Sequence, residues 1–137
     1  MVGRIRVGGM VSGTEGETRV LIVDDDPMNL EMLAVALLDS GFAVRTAASA
    51  IEALDEARRL PPSLVLADVA MPDMDGFQLC AQMKQDPLLG GVPVVLLSAA
   101  FTDNGDRERG ASVGAADFLT KPVDLPGLVR VLRQLST

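Results

Sequence analysis

Residues 64–76 read LVLADVAMPDMDG: four apolar positions, Leu64 to Ala67, run into a carboxylate at Asp68, and two more follow at Asp73 and Asp75. A short run that is apolar on both faces marks a central strand of a parallel sheet, covered by helices above and below. Asp68 closes that strand, and it is a poor candidate for a helix cap because Val69-Ala70-Met71-Pro72 does not open a helix at once. Asp73 and Asp75 belong to the turn that follows. Pro72 fixes the direction of the chain, Asp75 is placed to cap the next helix, and Gly76 allows the tight change of course.

Outward from this strand the same alternation repeats, short apolar runs giving way to segments of helical period, as in a βα repeat. Val20–Val23 forms the first strand. Asp26-Pro27 then reads as an N-cap with proline at the first helical position, and Leu30, Leu33, Ala34 and Leu37 make the apolar stripe of a helix ending near Ser40-Gly41. Ala43–Ala47 is the second strand. Ser49 with Glu52 gives a capping-box pattern for a helix through Ala57, which RLPPS breaks at 59–63. Phe77–Lys84 is a third helix, DPLLGG a loop, Val92–Leu97 a fourth strand and Phe118–Thr120 a fifth. Asp124 is expected to cap a last helix carrying Leu125, Leu128, Leu132 and Leu135 on one face.

One segment resists the pattern. FTDNGDRERGASVGA, residues 101–115, holds three glycines and little apolar stripe, and each interior glycine costs about 1 kcal/mol relative to alanine. It predicts a fourth helix that is short and weak or mobile. The whole reads as one α/β domain over residues 19–137, a doubly wound five-stranded parallel sheet with five helices, preceded by a flexible leader at 1–18.

Composition removes several functions. There is no histidine, so His-based triads, His metal sites and His acid–base chemistry are excluded. A single cysteine, Cys80, forms no intramolecular disulfide, points weakly to a reducing compartment and reads as a buried small hydrophobe. A net charge of −7 argues against direct binding of nucleic acid, and no apolar run approaches the length of a membrane span. The expected location is the cytoplasm, with no membrane or nucleic-acid partner.

In open parallel sheets, ligands bind beyond the carboxyl ends of the strands. Here those ends carry Asp24, Asp25 and Asp26, then Asp68, Ser98 and Lys121-Pro122. The sequences LIVDDDP, LADVAMPDMDG, LLSAA and FLTKPVD, in that order and spacing, make the chain resemble a response-regulator receiver domain of two-component signalling over about residues 19–136. The resemblance implies a flavodoxin-like strand order 2-1-3-4-5. It implies Asp68 as phosphoacceptor, and Mg²⁺ held by Asp25, Asp68 and the backbone carbonyl of Ala70, with Asp24 coordinating through water or supporting the site. It implies Lys121 and Ser98 as contacts to the phosphoryl group, and Ser98 with Phe118 as the switch pair, Phe118 rotating inward when Ser98 moves toward a phosphorylated Asp68. The implied donor is a phosphohistidine on a sensor histidine kinase or phosphotransfer protein, and the output is contact with a downstream protein target.

Such a chain is not an enzyme beyond its own phosphorylation and dephosphorylation. Ala70 and Ala100, at the two positions that tune phosphoryl lifetime in such domains, have no side chain able to orient an attacking water. The chain ends soon after the fifth helix, so no output domain is expected within it. A degenerate receiver acting as a constitutive interaction module is the alternative, disfavoured by the presence of Asp24, Asp25, Asp68, Ser98 and Lys121 together. An aspartyl phosphatase of the haloacid-dehalogenase type is disfavoured because Asp68-Val69-Ala70 has alanine where a second aspartate is required. A dinucleotide-binding enzyme is excluded by the lack of a glycine-rich turn after the first strand.

Overall fold

A computed structural model describes residues 18–98 and 104–136; the expected leader, save Thr18, and Ala100 lie outside them. Five strands, β1 (Arg19–Val23), β2 (Ala43–Ala47), β3 (Leu64–Asp68), β4 (Val94–Ser98) and β5 (Asp117–Thr120), alternate with α1 (Pro27–Asp39), α2 (Ala50–Arg59), α3 (Gly76–Gln85), α4 (Asn104–Ser112) and α5 (Leu125–Leu135). All strands pair in parallel, in the order β2-β1-β3-β4-β5. The doubly wound sheet read from the sequence is the observed one. No described helix is long and apolar enough to cross a membrane.

Burial explains the central strands. β3 and β4 are buried at every position, and β1 at all but Arg19, as expected where helices cover both faces. On one face Leu33, Ala34 and Leu37 of α1 pack with Leu128 and Leu132 of α5 over Ile22, Leu66 and Val95. On the other, α2 and α3 pack over Leu21, Val65 and Leu96, joined by Phe118. Cys80 of α3 is fully buried in that second layer, and its Sγ donates to the Val113 carbonyl at 3.4 Å.

The helix starts follow their side chains, with two exceptions. Asp26 accepts from the Met28 amide at 3.0 Å, and Asp75 forms a complete capping box with Gln78. Ser49 accepts from the Glu52 amide, but the first two donors of α2, Ala50 N and Ile51 N, are taken by Asp73 at 3.4 and 3.0 Å. Asp73 was expected only to shape its own turn; it also caps a helix 22 residues away. Asp124 occupies the N-cap position of α5 but makes no side-chain cap bond. Its carboxylate lies instead against Gly127, where an added Cβ would come within 2.7 Å of Oδ2.

The fourth strand starts at Val94 rather than Val92, because Val92 N closes the preceding loop onto Leu89 O and Pro93 has no amide to donate. The fourth helix is present and short, nine residues, as expected.

Candidate functional site at the carboxyl edge of the sheet

Four chain segments meet beyond the carboxyl ends of β1, β3, β4 and β5. β1 delivers Asp24 and Asp25, the first buried and the second exposed. Asp24 Oδ1 accepts from the Asp26 amide at 2.9 Å, which fixes the carboxylate while Asp26 turns outward to cap α1. β3 delivers Asp68, and its backbone is closely backed: a Cβ on Gly76 would stand 2.6 Å from the Asp68 carbonyl oxygen. Only a residue without a side chain fits there, so the glycine read as turn punctuation also holds α3 against the end of β3. Val69 N donates to Leu97 O at 2.8 Å and Gly76 N to Val69 O at 2.9 Å, tying both ends of the β3–α3 loop.

β4 ends on Ser98, buried, whose carbonyl accepts from Lys121 N at 2.8 Å. That bond aligns the last residue of β4 with the segment after β5, where the Lys121-Pro122 peptide is cis. Lys121 Nζ then lies 2.8 Å from Asp68 Oδ1 and 3.6 Å from Asp24 Oδ2. Both contacts are ion pairs without hydrogen-bond alignment, so Asp24 Oδ2 and Asp68 Oδ1 are buried oxygens that lack an aligned donor.

The charges do not balance. One carboxylate oxygen each from Asp24, Asp25 and Asp68 lies within 4.8 Å of the other two, and among the described residues one ammonium, that of Lys121, faces them. Burial pushes the Asp68 carboxyl above the ordinary aspartate range; Lys121 pulls it back, while Asp24 and Asp25 add to the rise. Burial also works against the Lys121 charge, but Asp68 and Asp24 together outweigh it and hold the ammonium above its usual value. Oxygen-only donors, excess negative charge and two buried acceptors without aligned donors suit a hard divalent cation. Ala70, exposed and two residues past Asp68, follows directly from the strand end.

The described residues singled out in the sequence therefore gather at one edge. The ring of Phe118, the aromatic member of the switch pair that the resemblance implies, lies inside, 7% exposed, stacked on Phe77 with centroids 6.1 Å apart. Sequence reasoning missed three neighbours of the site: Phe77, Arg109, which pairs with Asp75 at 3.6 Å, and Gly110, which faces Phe118. Phe77 had been visible only as an apolar helix position. No local pattern linked the other two to residues on different elements.

Comparison with known proteins places this geometry. The profile of the response regulator receiver domain matches residues 20–133. The chain is 42% identical over 118 residues to the response regulator PleD of Caulobacter vibrioides, covering 86% of this chain but 26% of PleD. Among solved structures, the chemotaxis protein CheY4 of Vibrio cholerae superposes with a TM-score of 0.82 at 30% identity, covering 88% of this chain and 99% of that one. The signal receiver domain of a signal transduction histidine kinase from Syntrophus aciditrophicus gives 0.80 at 34% identity, covering 87% and 89%. Receiver domains take phosphoryl groups from histidine kinases or phosphotransfer proteins and generally bind Mg²⁺ at an acidic pocket. With the profile spanning most of its length and the acidic pocket at the matching sheet edge, the chain belongs to the response regulator receiver domain family.

Proposed function

We propose that this chain is a phosphorylation-dependent switch that accepts a phosphoryl group onto Asp68 from a phosphohistidine donor, with Mg²⁺, and signals through protein contacts. The observation that carries the reading is the convergence of Lys121 Nζ, 2.8 Å from Asp68 Oδ1, with three carboxylates whose oxygens lie within 4.8 Å. Asp24, Asp25, Asp68 and the Ala70 carbonyl would hold the ion. Bound there, Mg²⁺ supplies charge neutralisation for the incoming phosphoryl oxygens.

The chain's own part is positioning. A carboxylate oxygen of Asp68 forms the new P–O bond as the donor's P–N bond breaks, and the electron pair leaves on the histidine nitrogen. No general base is needed if the attacking carboxylate is ionised, and Lys121 favours that form against the burial that opposes it. Lys121 and the Ser98 hydroxyl then contact the phosphoryl oxygens. The protein catalyses nothing but its own phosphorylation and dephosphorylation.

The donor must bring its histidine to Asp68, so it covers the surface beside that mouth. Met28, Met32 and Val35 of α1 are 80%, 52% and 51% exposed. Met32 also lines a cavity of about 420 Å³ with Leu97, Lys121, Pro122 and Leu125. An apolar strip continuous with the site suits a protein donor.

The deciding experiment is intact-mass measurement after treatment with acetyl phosphate and Mg²⁺. The wild-type protein gains one phosphoryl group and Asp68→Ala gains none. A wild-type protein that gains none favours the constitutive interaction module.

A further inference from the structure

The loop from β3 to α3 carries the Ala70 carbonyl, which would complete the Mg²⁺ site proposed above. Its two ends are tied by Val69 N to Leu97 O and by Gly76 N to Val69 O, at 2.8 and 2.9 Å. Met71 and Met74 rest half-buried against the core layer under α2 and α3, and methionine is an adaptable filler that fixes a position loosely. A directional contact comes from Asp73, which is exposed and reaches across to the start of α2. Its Oδ2 accepts from Ile51 N at 3.0 Å, and its Oδ1 lies 3.4 Å from Ala50 N. Amides in the first turn of a helix lack partners within the helix and lie at the positive end of its dipole, so a carboxylate there makes charge-assisted bonds. α2 already has a cap of its own, since Ser49 accepts from Glu52 N at 3.1 Å. What Asp73 adds is a tie between two segments 22 residues apart.

We propose that Asp73 is a positioning residue for the cation site: by anchoring the β3–α3 loop to α2, it holds the Ala70 carbonyl where it ligates Mg²⁺. The inference rests on the Mg²⁺ reading above. Mg²⁺ demands near-ideal placement of its oxygen ligands, and a ligating group has to be held to within about 0.5 Å by its supporting contacts. Asp73 acts through the loop, touching neither the ion nor the phosphoryl oxygens. The coupling runs both ways, because linked binding equilibria are reciprocal. If the anchor raises Mg²⁺ affinity, bound Mg²⁺ tightens the anchor, and the start of α2 senses whether the site is filled.

The test sets Asp73→Ala against Ser49→Ala in the full chain, by Mg²⁺ titration of the Val69 and Ala70 amide resonances and by amide hydrogen exchange. Both variants remove an acceptor from the start of α2, so both are expected to speed exchange in its first turn. Only Asp73→Ala is expected to weaken Mg²⁺ binding, by roughly tenfold, as when a contact that orients a metal ligand is lost. Asp73→Asn drops the charge but keeps an acceptor for Ile51 N, and should bind Mg²⁺ within about threefold of wild type. In the wild type, saturating Mg²⁺ is expected to slow exchange at Ile51 by about the same factor that the anchor adds to affinity. The proposal is overturned if Ser49→Ala weakens Mg²⁺ binding as much as Asp73→Ala, since helix stability would then be the cause. It is overturned equally if Asp73→Asn binds as poorly as Asp73→Ala, which would assign the effect to charge. The Ile51 measurement needs no variant and decides alone if Asp73→Ala does not fold: unchanged exchange on Mg²⁺ binding overturns the coupling. A wild-type protein that binds no Mg²⁺ overturns the cation reading as well, whereas Mg²⁺ binding equal in wild type and Asp73→Ala overturns the role of Asp73 alone.

Discussion

α3 and α4 lie on the same side of the sheet and share one aromatic contact, yet they are held by different means. α3 buries Phe77, Leu79, Cys80 and Met83, starts with a complete capping box, and is fixed by Gly76 against the carbonyl of Asp68. Among its described side chains α4 buries a single position, Gly110, and it leans two arginines over rings. α3, which abuts the end of β3, is thus anchored by core packing, and α4 by contacts that are cheap to break. The switch proposed above would use that division: a site held to the accuracy that phosphoryl transfer requires, beside a helix with fewer buried contacts.

The comparison can be broken most directly at Leu79, which is fully buried. Leu79→Ala should cost about 2–5 kcal/mol of unfolding free energy in urea titration, through lost transfer energy and a residual cavity. Asp75→Ala comes next at about 1 kcal/mol, because it removes the cap of α3 together with the pairing to Arg109.

Of similar size but opposite sign is Asp68→Asn. Its carboxyl is raised in the fold by burial first, so the native state binds a proton more tightly than the unfolded chain. Stability from this group therefore falls as pH rises from the ordinary aspartate value through the raised one, and the full penalty is present above it. Asp68→Asn should flatten that part of the profile and raise stability at neutral pH, without added divalent cation, by on the order of 1 kcal/mol. Thermal melts across the acid range check the sign, and a variant less stable than wild type at neutral pH would refute it.

Smallest is Arg109→Ala. This half-exposed side chain contributes one cation–ring contact and one surface ion pair, together worth less than about 1 kcal/mol. An Arg109→Ala loss as large as that of Leu79→Ala would erase the distinction between the two helices.

Much of this was legible in the sequence because it is local. The apolar runs of β1, β3 and β4, the Asp26-Pro27 start and the Asp75/Gln78 cap each depend on residues a few positions apart. The acidic pair, Asp68, Ser98 and Lys121 were legible through their places at strand ends, given a parallel sheet. What escaped was contact between distant segments. Asp73 looks like any turn aspartate until α2 is seen above it, and the Ile51 amide holds its carboxyl below the usual range, against a smaller opposing contribution from burial. Gly110 counted against α4 as a weak helix former; only its distance to Phe118 turns that deficit into a docking point. Phe118 was placed correctly on β5, but its stacking on Phe77, 41 residues earlier, and its close approach to Gly110 join distant segments that no local pattern links.

Cys80 gives the molecule a built-in clock. Its thiol is the only one in the chain, fully buried, and its Sγ touches the Val113 carbonyl just past the end of α4. Burial also pushes the thiol above its ordinary pKa, so a labelling reagent meets a group that is both covered and protonated at neutral pH. Every alkylation event must therefore wait for the layer around α3 and the α4–β5 turn to open. The labelling rate of the native protein reads how often that side of the fold comes apart, with no engineered probe and no competing site.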